Sequence, residues 1–221
     1  MHSYKGLFIS FEGIEGCGKS THVPLLEEYL KQLGHEVVIS REPGGLESTE
    51  IIRDLLLNPK WKEEIYQPIT ELFLFEASRS VFVEKKVRPV LKRGGIFIAD
   101  RFADSSTAYQ GFAGKISGET VAHLNEIATM GLMPDITLIL DLELEDALNR
   151  SSHHEYKKKD RMEQKPIDFH DDVQRGYRWI AQMFPNRAKL IYTGNKRTKE
   201  QTQAEIRTYV DEALVKKYGK I

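Results

Sequence analysis

Gly13-Ile14-Glu15-Gly16-Cys17-Gly18-Lys19-Ser20 carries the residue types and the spacing, G-x-x-x-x-G-K-S, of a loop that binds phosphate. Three glycines let successive backbone N–H groups turn inward and form a concave cradle for phosphate oxygens. The helix that follows, with Thr21 in its first turn, aims its positive end at the same point. Lys19 can then reach the β- and γ-phosphates, while the Ser20 hydroxyl completes the shell of a Mg²⁺ ion. The bland alternative is a Gly-rich turn with a solvated lysine. Against it stand the apolar run Leu7–Phe11 just before the loop and the helix-like stretch just after it, the context that the motif requires. A nucleoside triphosphate site is the expectation.

Asp100-Arg101 closes a second apolar run, Ile96-Phe97-Ile98-Ala99. A carboxylate there can hold Mg²⁺ through its waters, and a guanidinium offers a planar fork to phosphoryl oxygens. An ordinary ion pair at a strand end is the competing reading; beside a phosphate loop the functional one is preferred. Arg41-Glu42-Pro43-Gly44-Gly45 would let backbone approach a flat ligand closely. On a helix, Phe75 and Arg79 stand four apart and share a face. They could hold a base and its phosphate, or Phe75 could be core with Arg79 a solvated neighbour; spacing leaves both open.

The elements that must position these groups are legible as an alternation. Short apolar runs recur at Leu7–Phe11, Val37–Ser40, Ile96–Asp100, Ile136–Asp141 and Lys189–Tyr192. Helical stretches read at Ser20–Leu33, Thr49–Leu57, Ile69–Arg93 with a bend at Pro89, Gly118–Met130, Glu143–Ser152, Phe169–Met183 and Thr198–Tyr218. The expectation is a three-layer α/β/α P-loop fold with a five-stranded parallel sheet, one domain over residues 1–221. In such a sheet ligands gather outside the carboxyl ends of the strands, where Glu12, Arg41, Asp100 and Asp141 lie. The one compositional break, Ser151 to Arg161, is dense in positive charge and lacks apolar periodicity. It reads as a mobile lid of about residues 151–167.

The 221 residues carry a net charge of −1 from 32 basic and 33 acidic side chains, which argues against whole-surface attraction to nucleic acid or anionic membrane. One cysteine excludes an intrachain disulfide and fits a reducing cytoplasm. Met1–Gly6 leads straight into the first strand without a long apolar stretch, and no run reaches membrane-spanning length, so an unexported, soluble protein is expected.

Taken together these residues resemble the thymidylate kinase family of small P-loop kinases. The resemblance runs from Phe11–Thr21 through Arg41–Gly45, Phe75 with Arg79, Asp100-Arg101-Phe102, Asp104–Gly111 and Pro134–Asp141 to Asp160-Arg161-Met162-Glu163. It implies transfer of phosphoryl from MgATP to dTMP to give dTDP for dTTP biosynthesis, and a homodimer. It also implies roles. Glu15 would meet the sugar 3′-hydroxyl, Phe75 would stack on thymine, and Arg79 would grip the base edge. Arg101 would contact the acceptor phosphate, with Arg53 a further phosphate contact. Ser106 and Gln110 would lie near the base, Pro43 at the base end of the pocket, and the Tyr109 ring would crowd the 2′ position and favour deoxyribose.

Gly16 stands where some members of the family place arginine in the phosphate loop, so lid cations should serve instead. The lid has Lys157-Lys158-Lys159 and His153-His154 where an Arg-Gly-rich segment is common; Arg150 and Arg161 are the arginine candidates for the transferred phosphoryl. The lysines could equally be a solvated face. Three other functions compete with this one. A GTPase switch is disfavoured because Asn195-Lys196-Arg197-Thr198 puts Thr198 where a guanine-reading carboxylate is needed. A non-catalytic nucleotide-binding module and a kinase for another nucleoside monophosphate are separated from this reading by assay.

Overall fold

The computed structural model describes residues 2–65, 67–152, 160–194 and 196–219. Its strands are β1 (Leu7–Glu12), β2 (Val37–Arg41), β3 (Ile96–Asp100), β4 (Ile136–Asp141) and β5 (Ala188–Tyr192). They form one parallel sheet in the order β2-β3-β1-β4-β5. β1 and β4 are buried at every position, as strands covered on both faces must be, whereas edge strand β2 is mostly half-exposed.

Alternation along β1 feeds two cores. Leu7, Ile9 and Phe11 join a cluster with Val23, Leu26 and Leu30 of α1 (Lys19–Gln32) and Ile206, Val210 and Leu214 of α9 (Lys199–Tyr218). Phe8 joins a second cluster with Phe97, Phe102 and Phe82, where three edge-on ring pairs pack at 4.9–5.9 Å between centroids. Leu7 pairs with Ile96 and Phe11 with Asp100. The register therefore makes the loop after β1 and the Asp100-Arg101 pair emerge side by side. Because β3 lies on one side of β1 and β4 on the other, a crevice opens at this point.

The remaining helices are α2 (Glu47–Leu57), α3 (Pro68–Phe82), α4 (Arg88–Lys92), α5 (Ala103–Ser106), α6 (Gly118–Thr129), α7 (Leu144–Ser152) and α8 (Ile167–Met183). Two features depart from the sequence expectation. The stretch read as one bent helix over Ile69–Arg93 is instead α3, a π-helical turn at Val83–Val87, and α4 with Pro89 in its first turn. Proline has no N–H to donate and its ring crowds the preceding turn, so the widened turn falls just before it. The second is Ala103–Ala113, rich in Ser, Thr and Gly and not expected to be helical. It forms α5 and a π-helical turn at Thr107–Ala113. Of the expected lid, residues 153–159, including His153, His154 and Lys157–Lys159, lie outside the described residues, as does Asn195. Among the described residues no helix is long and apolar enough to cross a membrane.

Candidate active site

The phosphate loop is set by what surrounds its glycines. Gly13 has φ 129° and Gly16 φ 76°; a Cβ on either would sit 2.3 Å from a backbone oxygen, of Leu140 and of Ala147 respectively. No side chain fits at either place, so the loop closes on β4 and α7 with its backbone alone. Ile14 and Cys17 turn inward, 3% and 0% exposed, and contribute backbone to the cradle; Thr193 Oγ1 donates to the Cys17 carbonyl at 2.9 Å. Gly18 caps α1 without a side chain, leaving the first-turn N–H groups to an anion. Lys19 Nζ donates to the carbonyls of Gly13 and Ile14 at 3.1 and 3.2 Å, which holds the ammonium across the loop.

A cleft of about 250 Å³ opens here, lined by Glu15, Gly16, Gly18, Lys19, Ser20, Thr21, Asp100 and Arg150. Arg150, on α7, is tethered by its Nη2 to the Thr193 carbonyl at 3.1 Å. Asp100 Oδ1 is buried with no hydrogen-bond partner among the described residues. A lone carboxylate oxygen beside the Ser20 hydroxyl is a donor set suited to a hard divalent cation, with the remaining positions left to phosphate and water. Among the described residues no cluster of three His, Cys, Asp or Glu side chains could hold a metal ion by itself.

A second cavity of about 120 Å³ joins the first at Glu15, and it gathers Glu15, Pro43, Arg53, Phe75, Arg79, Arg101, Ser106, Tyr109 and Gln110. All nine substrate-facing residues expected from sequence thus line one space. Leu57, Phe102, Ser105, Asp160, Met162, Glu163 and His170 line it too. Arg53 Nη1 donates to the Pro43 carbonyl at 2.8 Å, tying α2 to the turn after β2.

Arg79 is not a solvated neighbour of Phe75. It is 1% exposed, paired with Glu42 at 2.6 Å and with Glu76, and it donates to Ser106 Oγ at 2.9 Å and Asn125 Oδ1 at 2.7 Å. Burial pushes the Glu42 carboxyl up to about 7, with Arg79 opposing that shift. Phe75 on the same helix is half-buried and faces the cavity.

Arg101 lines the acceptor cavity next to Glu15, the residue that both clefts share. Its backbone is left-handed, φ 73°, an uncommon conformation for a side-chain-bearing residue. Its Nη1 donates to the Gly13 carbonyl at 2.9 Å and to the Tyr177 hydroxyl at 3.0 Å; Nη2 lies 3.9 Å from Glu15 Oε2. The Tyr109 ring lies beneath the guanidinium at 5.3 Å. Behind it, the fully buried Glu12 carboxylate accepts from Phe102 N–H at 2.7 Å, Ser105 Oγ at 2.6 Å and Tyr177 OH at 2.9 Å. Burial, then the nearby Asp104 charge, raise the Glu12 pKa to about 7.

Arg161 lines neither cleft. Its guanidinium is taken up by Glu71 Oε1 at 2.5 Å and the Leu56 carbonyl at 2.8 Å, and it is 5% exposed. Lys165 shares the same carboxylate at 3.5 Å, while Gln110 Nε2 donates to its other oxygen at 3.3 Å. The groups that sequence reasoning left without roles are Glu42, Glu71 and Tyr177. Tyr177 falls on the apolar stripe of α8 and reads as core; Glu42 reads as part of a turn. Only Glu12, a carboxylate at the end of an apolar run, carried a visible signal.

A family model described as thymidylate kinase matches residues 11–206. The chain is 45% identical over 187 residues to a thymidylate kinase of Thermoanaerobacter pseudethanolicus, covering 85% of this chain and 89% of that one. It is 36% identical over 209 residues to a thymidylate kinase of Bacillus licheniformis, covering 95% and 97%. A crystal structure of thymidylate kinase from Ehrlichia chaffeensis superimposes with a TM-score of 0.72 at 31% identity, over 93% of this chain and 98% of that one.

Proposed function

This chain belongs to the thymidylate kinase family, and on that premise we propose how its residues divide the work of the reaction. The protein is an ATP-dependent nucleoside monophosphate kinase that phosphorylates dTMP to dTDP. The observation that carries the residue assignment is the meeting of the two clefts at Glu15, with the phosphate loop on one side and the nine substrate-facing residues on the other.

ATP lies with its β- and γ-phosphates against the loop backbone, the start of α1 and Lys19. Ser20 and Asp100 would hold Mg²⁺, whose chemistry when bound would be to neutralise charge on the phosphoryl oxygens. dTMP enters the second cavity with thymine on Phe75. Arg79, Ser106 and Gln110 border its edge, and Pro43 closes the base end. Glu15 takes the 3′-hydroxyl, and Tyr109 leaves no room for a 2′-hydroxyl. Arg101, with Arg53 behind it, aims the acceptor phosphate at the γ-phosphorus. The acceptor oxygen is already a competent nucleophile, so positioning and charge stabilisation dominate. Arg150, which lines the phosphate cleft, is the arginine we assign to the transferred group in preference to Arg161.

We also place the protein in the cytoplasm, where its nucleotides reside, as a homodimer. Exposed Phe73 on α3 and Ile127 on α6, two helices that pack together, support the dimer.

Lys19→Ala tests the loop assignment. Loss of a charge aimed at the transferred group is expected to lower kcat by roughly a hundredfold or more, with the circular dichroism spectrum and melting midpoint close to those of the parent. Activity within a few-fold of the parent contradicts it.

A further inference from the structure

Arg101 is held from behind by hydrogen bonds of both its backbone and its guanidinium. Glu12 and Gly13, consecutive in the chain, bracket it. The Gly13 carbonyl takes one N–H of Nη1, and the Glu12 carboxylate takes the amide of Phe102, the residue after Arg101, at 2.7 Å. The Arg101 amide itself donates to the Phe11 carbonyl at 2.9 Å. The backbone is thus pinned on both sides of a left-handed residue, which would relax without such support.

The side chain is held through Tyr177. A phenol has one proton and two lone pairs. Arg101 Nη1 can only donate, so it occupies a lone pair at 3.0 Å; the Tyr177 proton then goes to Glu12 Oε2 at 2.9 Å. Ser105 Oγ touches both partners, at 2.6 Å from Glu12 Oε2 and 2.9 Å from the phenol oxygen. The Tyr177 hydroxyl, polarised by a buried carboxylate, is therefore a stronger acceptor toward Arg101 than a solvated phenol would be. Tyr177 is 2% exposed and reaches this position from α8. It lines neither cleft.

We propose that Tyr177 and Glu12 are positioning residues for phosphoryl transfer, acting through Arg101: the carboxylate fixes the phenol, and the phenol fixes the guanidinium at the junction of donor and acceptor phosphates. The proposal rests on the reading of Arg101 as the acceptor-phosphate arginine. Misplacing such a group affects the transition state, where phosphoryl charge is spread, more than ground-state binding of the nucleoside.

The test is a double-mutant cycle with single-turnover and steady-state kinetics on Tyr177→Phe, Arg101→Ala and the double variant. Tyr177→Phe removes one hydroxyl and leaves the ring packed. It is expected to lower kcat by about tenfold with the KM for dTMP changed by less than about threefold. In the Arg101→Ala background the same substitution is expected to change kcat by less than about twofold, because the group it positions is gone. A full tenfold effect persisting without Arg101, or no effect with Arg101 present, overturns the proposal while leaving Arg101 in its role. If Arg101→Ala alone is within a few-fold of the parent, the Arg101 assignment fails and takes the proposal with it. Should Tyr177→Phe not fold, Glu12→Gln reads the same cycle with the same expectations.

Discussion

Arg79 shows most sharply how one side chain can be legible in part. Its spacing from Phe75 put both on one helix face, and both do face one cavity. What spacing could not show is that Glu42, from the turn after β2, joins Glu76 of the same helix on its guanidinium. Glu12 and Tyr177 were out of reach because the hydrogen-bond partners of their side chains are at least 90 and 72 residues away from them in the chain, and only the fold joins them. A pH effect follows from Glu42. Its folded-state pKa of about 7 lies above its ordinary value of 4.5, so the folded protein holds that proton more tightly than the unfolded chain. The resulting stabilisation is full below about pH 4.5 and is lost as pH rises through 7. Denaturant melts of the parent and of Glu42→Gln between pH 4.5 and 8 are the check. The parent is expected to lose stability relative to the variant as pH rises from 4.5 through 7, and the gap to level off above that. A constant gap across the whole range contradicts the shift.

At the scale of elements, long periodic segments were readable and irregular ones were not. The five strands fall within one residue of their expected ends; β1 and β4, buried throughout, are continuous apolar runs with abrupt polar stops, and the edge strands β2 and β5 are short apolar runs bounded in the same way. Ala103–Ala113 carries no apolar stripe that would mark it as helix: Ser105, Ser106 and Gln110 line the acceptor cavity, Asp104 is buried on Thr137 and Arg187, and the small side chains of Ala103 and Ala108 are what reach the cores. The same limit separates the two lid-flanking arginines. Both are arginines near a basic segment, yet Arg150 ends α7 beside the phosphate cleft while Arg161 is spent joining Glu71 of α3 to the end of α2. Their alanine variants should therefore fail differently. Arg161→Ala leaves the Glu71 carboxylate with Lys165 as its cationic partner among the described residues and is expected to cost about 3 kcal/mol of stability, read as a lowered melting midpoint. Arg150→Ala is expected to leave the midpoint within a few degrees and to lower single-turnover kcat by tenfold or more. A stable Arg161→Ala with the larger kinetic defect reverses the assignment.

For the whole molecule, one topological fact places the chemistry: β1 is central, its neighbours belong to later parts of the chain, and the loop after it faces the end of β3. The α/β class and its crevice follow from the order of runs along the chain, whereas the closing of two cavities onto Glu15 depends on side-chain packing that no run encodes. Assembly belongs to this scale too. Phe73, 57% exposed on α3, is a large apolar side chain at a surface. Sedimentation of the parent is expected to give twice the mass of one chain, and Phe73→Glu to give one; a parent that is monomeric at micromolar concentration contradicts the dimer.

This enzyme phosphorylates dTMP, and we propose that its preference for that acceptor comes from a cavity shaped for thymine and deoxyribose. The most direct measurement is kcat/KM for dTMP, dUMP, UMP, dCMP and AMP in parallel with MgATP, with the diphosphate product identified by mass. The expected result is dTDP formation with the highest value for dTMP, a lower one for dUMP, and lower ones still for UMP and AMP, whose 2′-hydroxyl would meet Tyr109. A higher value for any other acceptor, or ADP release without dTDP, contradicts it.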